Sequence, residues 1–168
     1  MPTIIGQYDL WYPVPTDRYG SARASPSFVA YLLIAEAVGS SAQTQLTLLP
    51  SPPSHPQLAA YAIWDPVVRP SGPARLALLN LAVRNVTASE EEKAEVAVSV
   101  DLSGWASEGN GVKLKRMTAP GLDSKDSGSV TWAGQSYENG TASGVEMIEV
   151  SQDGKVTIEG SEAVLVFF

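Results

Sequence analysis

Val112–Phe168 reads VKLKRMTAPG (112–121), SVTWAGQSYENGTASG (129–144), VEMIEVSQDGKVTIEG (145–160) and SEAVLVFF (161–168). Short runs of Val, Ile, Thr, Trp and Tyr are cut here by Pro-Gly, Asn-Gly, Asp-Gly and Glu-Gly. Runs of this length between such turn residues pair as antiparallel strands and are too short for helices. The stretch therefore predicts a mainly β domain, an antiparallel β-sandwich or barrel. Working back along the chain, QLTLL (45–49), LAAYAIWD (58–65), RLALLNLAV (75–83) and AEVAVSVDL (94–102) raise the count to eight or nine strands. That is the spacing of a sandwich with Greek-key connections. PSPPSHPQ (50–57) is a stiff proline-rich connector, and the acidic run Glu90–Glu92 is expected in a solvated loop.

The N-terminal quarter differs. TIIGQYDLWYPV (3–14) reads as a buried strand stopped by Pro13 and Pro15, which cannot donate to a ladder. A helix follows with both ends marked: Ser25 as N-cap, Pro26 at the first helical position and Gly39 closing it. Its body, SFVAYLLIAEAV (27–38), has only Ser27 and Glu36 as polar residues. A helix apolar all round must be covered on several sides. The sandwich supplies one such layer, so another is expected to be missing, with one strand and one α-helix in residues 1–41 and the sandwich in 42–168. Phe28, Tyr31, Leu32, Leu33, Ile34 and Val38 cannot all be covered by one sheet face, and self-association through Pro26–Val38 is expected.

Composition narrows the function classes. A net charge of −7 and a pI near 4.6 disfavour nucleic acid and anionic membranes as partners. No apolar stretch is long enough to span a bilayer. Cysteine is absent, which excludes thiol catalysis and zinc–cysteine sites. The lone histidine, His55, sits in the proline-rich loop without the partners of a catalytic triad or metal site. Asp123 and Asp126 lack the ligand spacing of a calcium loop, no glycine-rich phosphate loop joins a strand to a helix, and no cofactor is expected. Glu138, Glu146 and Glu149 read as outward positions of a sheet. Trp64, Trp105, Trp132, Tyr61 and Tyr137 are either core residues or a stacking face for sugar rings.

Two Asn-x-Thr sequons, at Asn85 and Asn139, point to N-glycosylation and an extracellular protein. Met1-Pro2-Thr3 lacks the basic region of a secretory leader, so a leader is expected outside this sequence.

YLLIAEAVGSS (31–41) and the two blocks KRMTAPG (115–121) and WAGQSYENGT (132–141) resemble the C-terminal portion of glycoside hydrolase family 79, the β-glucuronidase and heparanase-like group, in its fungal branch. The resemblance implies that IIGQYDLWYPV is the eighth strand of a (β/α)8 barrel, PSFVAYLLIAEAVG its last helix, and the remainder the sandwich that packs on the barrel's side. It also implies a retaining glycosidase as parent, with an acid/base and a nucleophile glutamate on barrel strands four and seven, about 5 Å apart across the scissile bond. This chain begins after both strands, so no catalytic residue is expected in it. The glycine-tyrosine pair that relatives present on strand eight is not reproduced by Ile5, Gly6 and Tyr8, which leaves Tyr8 as the candidate substrate contact. The implied partner is the catalytic barrel, with a glycan as a second possible ligand. The alternative is a stand-alone extracellular carbohydrate-binding or structural module.

Overall fold

A computed structural model describes residues 10–17, 20–105, 111–124 and 126–168. Near the N-terminus β1 (Trp11–Tyr12) pairs with β2 (Arg23–Ala24), and α1 (Pro26–Val38) follows. The remaining elements are β3 (Gln45–Leu49), β4 (Leu58–Trp64), β5 (Arg75–Asn80), α2 (Glu90–Val96), β6 (Val98–Asp101), β7 (Val112–Thr118), β8 (Thr131–Trp132), β9 (Gln135–Ser136), β10 (Glu149–Ser151), β11 (Lys155–Ile158) and β12 (Glu162–Phe167).

The large sheet has eight strands in the order β3-β4-β5-β12-β7-β8-β9, with β10 also on β7. Every pairing is antiparallel. The last strand inserts between β5 and β7, so the sheet closes only when the C-terminus returns to its middle. Strand alternation divides the side chains between two faces. Leu76, Leu78, Leu114, Val164 and Val166 point to one side and pack against Val98, Val156 and Ile158 of the separate β6–β11 ribbon. This is the sandwich core. Ile63, Ala77 and Leu165 point to the other side, where α1 covers them with Val29, Leu33 and Ala37.

The structure bears out the mainly β fold and the helix, and it revises several elements. Glu90–Glu92 are the first turn of α2, not loop. Ser89 accepts from the Glu92 N–H while the Glu92 carboxylate accepts from the Ser89 N–H, a reciprocal cap that the spacing Ser-x-x-Glu announces. The expected strand at 94–102 is consequently shortened to β6. Residues 130–138 fold into a tight hairpin, because Ala133 and Gly134 both have positive φ (49° and 75°) and supply the two-residue turn that suits strand twist. Of 145–150 only the end is strand. Within the strand expected over 3–14 only Trp11–Tyr12 is strand among the described residues; 1–9 lie outside them. Ser25 occupies the N-cap position, but its hydroxyl bonds Ser27 Oγ and does not cap the backbone.

Candidate functional site: the helix side of the sheet

Positions Val29, Leu33 and Ala37 recur at i, i+4 and i+8, one stripe of α1, and that stripe is buried on the sheet. Tyr31, Ile34 and Val38 form a second stripe at i, i+3 and i+7, and they are 56%, 50% and 39% exposed. Both stripes are apolar and only one has a partner. Exposed apolar side chains also stand on the sheet. Leu46 and Leu48 of edge strand β3 lie opposite Ile63 and Tyr61 in register, hence on the α1 side, and both are exposed. At the N-terminal half of α1 a cleft of about 340 Å³ opens over the same side of the sheet, lined by Ala30, Leu79, Leu81, Met117 and Leu122.

Two polar devices hold α1 in place at the edge of this apolar surface. Lys115, on the α1 side of β7, bonds Glu36 of the helix at 2.5 Å and Glu146 of the loop before β10 at 2.7 Å. The other Glu36 oxygen accepts from Trp132 Nε1 at 2.9 Å. Burial works against the Lys115 charge, but the hydrogen bonds it donates to Glu146 and Glu36, with the charges of those carboxylates, outweigh it and raise the ammonium above its ordinary range. At the helix C-terminus Arg75 donates to the Ala37 carbonyl (3.3 Å) and lies 3.6 Å from the buried carboxylate of Asp65, which places a cation where the helix dipole favours one. Gly39 is required there twice over: its φ is +68°, and a Cβ would sit 3.0 Å from the Arg75 guanidinium.

Other residues singled out in the sequence fall elsewhere. Trp132 is 4% exposed and bonded to Glu36, so it belongs to the core and not to a sugar platform. Tyr137 is half-buried beside Phe28, and Trp105 stacks on Phe168. Trp64 alone of these three tryptophans is largely open. Glu138 accepts from Ser127 Oγ, and Glu149 pairs with Arg116 on the ribbon side. Asp123 accepts from the Val86 N–H, and Asp126 caps a short 3-10 turn at Ser127–Ser129. His55 closes a turn through its own backbone. Asn85 and Asn139 are both exposed. Tyr8 lies outside the described residues. Among the described residues no cluster of three acidic or histidine side chains could hold a metal, and no helix is long and apolar enough to cross a membrane.

Lys115, Arg75 and the β3 leucines were not singled out in the sequence. The alternation in QLTLL could have revealed the leucines, since both fall on one face; the cation contacts span residues far apart in sequence and carried no local signal.

Comparison with known proteins agrees with this architecture. The crystal structure of a 4-O-alpha-L-rhamnosyl-beta-D-glucuronidase from Fusarium oxysporum 12S, in complex with Rha-GlcA, is similar at a TM-score of 0.52 and 26% identity over 73% of this chain. The match covers 26% of that protein, so the present chain spans about a quarter of its length. Curated protein sequences give no match. The family profile described as the glycosyl hydrolase family 79 C-terminal beta domain matches residues 60–165. This chain belongs to that family.

Proposed function

We propose that the chain is the accessory C-terminal β-sandwich of a glucuronidase-like glycoside hydrolase, without catalytic glutamates of its own, and that its helix side packs on the catalytic barrel. The observation that carries this reading is the second apolar stripe of α1, together with Leu46 and Leu48 exposed on the same side of the sheet. Each large apolar side chain withdrawn from water contributes roughly 1.5–3 kcal/mol, so five such side chains at one surface favour a partner with an apolar face. The neighbour's length supplies the occupant, since most of that enzyme has no counterpart in this chain. Residues 1–41 then belong with the barrel and 42–168 form the sandwich. Tyr8 remains the candidate contact to substrate. A retaining pair of carboxylates would be supplied by the barrel, as would glucuronide hydrolysis. Secretion fits the same reading.

The transcript sequence upstream of the Met1 codon tests the reading directly. An open frame continuing into repeated strand–helix units is expected, and an in-frame stop immediately upstream would refute it. The purified chain is expected to turn over no 4-nitrophenyl glucuronide. Steady hydrolysis that disappears when an acid of this chain is substituted would overturn the accessory role.

A further inference from the structure

We infer that Asn139 is an N-glycosylation site whose first sugar is seated on the indole of Trp11, so that the glycan fastens the β1–β2 hairpin to the tip of the sandwich. The inference deepens the extracellular reading above, because glycosylation requires passage through the secretory pathway.

The geometry begins with the turn. The Gly140 N–H donates to the Tyr137 carbonyl at 2.8 Å, and Gly140 itself has φ +77°. Beyond it Ser136 and Ser143 exchange both backbone hydrogen bonds at 2.9 Å. Tyr137–Ala142 is therefore a closed loop of a tight turn followed by a left-handed residue, with Asn139 at its tip. Every residue from Asn139 to Ile148 is exposed. The acceptor carboxamide, the glycine after it and the Thr141 hydroxyl thus lie on one accessible loop.

Asn85 has a different setting. The Val86 N–H is held by Asp123, and the 85–86 peptide is packed so closely on Gly121 that a Cβ there would come within 2.3 Å of Val86 N. In the folded chain that sequon is pinned along its backbone, whereas Asn139 stands on an open loop.

Trp11 supplies the second half of the inference. A Cβ on Gly140 would lie 3.1 Å from the six-membered ring of Trp11, so glycine lets the indole come against the turn beside Asn139. Trp11 as a residue remains 43% exposed. The neighbouring aromatic, Tyr137, is engaged by Phe28 and bonds Gln135 through its hydroxyl. An indole held against the backbone next to a glycosylation acceptor presents an apolar surface to the C–H face of N-acetylglucosamine. The hairpin that carries Trp11 is joined to the same loop by the Ala24 N–H, which donates to the Glu138 carbonyl at 2.7 Å. A seated sugar adds a third contact to this seam.

In the covalent step the Asn139 side-chain nitrogen forms a bond to the anomeric carbon of N-acetylglucosamine. The bond from that carbon to the pyrophosphate of a lipid-linked oligosaccharide donor breaks. The nitrogen loses one proton and the lipid pyrophosphate leaves.

The test has two arms, both on the full chain behind a cleavable secretory leader. In the first, translation into microsomes is read as a gel shift removed by peptide N-glycosidase. The shift is expected in the parent chain and in Asn85→Gln, and its Asn139 component is expected to be lost in Asn139→Gln and Thr141→Ala. A chain that loses its leader but carries no glycan at Asn139 overturns the site. This arm does not depend on folding. In the second, the secreted glycoprotein is either trimmed to a single N-acetylglucosamine or stripped completely, and the two thermal midpoints are compared. Retention of the one sugar is expected to raise the midpoint by about 2 °C, and the difference is expected to vanish in Trp11→Ala. The comparison is made within each variant, so a lower midpoint of Trp11→Ala itself does not enter. An equal difference in Trp11→Ala, or none in the parent chain, overturns the seat.

Discussion

Replacing Lys115 by Met tests whether α1 is held by charge as well as by packing. Methionine keeps a flexible apolar chain near the Phe167 ring, which the ammonium now approaches at 5.9 Å, and removes only the charge. Two ion pairs are lost. The one to Glu146 is weak, because that carboxylate is 51% exposed and solvent screens it. The one to Glu36 counts for more, since Lys115 is 11% and Glu36 31% exposed. Together they are expected to contribute about 1–2 kcal/mol, with most in the Glu36 pair. A double-mutant cycle of Lys115→Met with Glu36→Gln, measured by urea unfolding, isolates that pair, and a coupling of about 1 kcal/mol is expected.

The sign of the pH dependence follows from the raised Lys115 pKa. The folded state binds this proton more tightly than the unfolded chain, whose ordinary value is 10.5. The stabilisation is therefore complete below that pH and fades as the pH rises through the higher folded-state value. Protection of the α1 amides from hydrogen exchange should fall with it, ahead of the β5–β12–β7 amides. A coupling near zero at pH 7, or one that persists after Lys115 has titrated, would show that packing alone holds the helix.

On the ribbon side, Glu162 is 5% exposed and receives both Arg116 Nη1, at 3.1 and 3.2 Å, and the Glu159 N–H at 2.7 Å. Arg116→Met leaves that carboxylate buried without its cation and should cost about 3–5 kcal/mol in urea unfolding; burial already pushes Glu162 up, so the variant should regain stability on acidification, and a flat profile would refute the account. Asn80→Ala removes an amide that donates to Val96 O and Ile158 O and accepts from the Ala82 N–H. Its expected cost is about 2–4 kcal/mol from stranded buried partners, and an unchanged denaturation midpoint would contradict it. Substituting Ile34 and Leu48 together by Glu should leave that midpoint within about 0.5 kcal/mol while abolishing self-association in light scattering. A parent chain that is already a monodisperse monomer would count against the exposed stripe as a docking surface.

How far the sequence disclosed the structure depended on whether the determining interactions were local. The sheet was legible because strand alternation and turn residues repeat along 112–168, and α1 because Pro26 and Gly39 bracket an apolar run. The helix α2 was misread because none of its seven residues is buried and the alternation AEVAVSV overlaps it; the reciprocal cap at Ser89 and Glu92 decided the matter. The break in 130–138 was missed because Ala133 is an unusual residue for positive φ, and the usual signal, Asn-Gly, stands six residues later in a wider loop. The ion pairs of Lys115 span 79 and 31 residues and that of Arg75 spans 10, and only the folded sheet brings the partners together.

The two faces of the sheet use their charges in opposite ways, and this bears on how the helix side would meet a partner. Along β7, Lys115 and Met117 point to α1 while Arg116 points to the ribbon. Arg116 is consumed in the sandwich, where it ties Glu149, Glu162 and the Thr157 carbonyl. Lys115 is consumed as well, between Glu36 and Glu146, and Arg75 is engaged by Ala37 and Asp65. The two cations that hold the helix, Lys115 and Arg75, are thus already matched within the chain. A partner settling on Tyr31, Ile34, Val38, Leu46 and Leu48 need not bring carboxylates to neutralise these two, and desolvating them does not strand an unpaired charge. On the proposed reading the surface would associate by apolar burial, with the ion pairs fixing the helix that presents its exposed stripe and leaving the contact itself to shape.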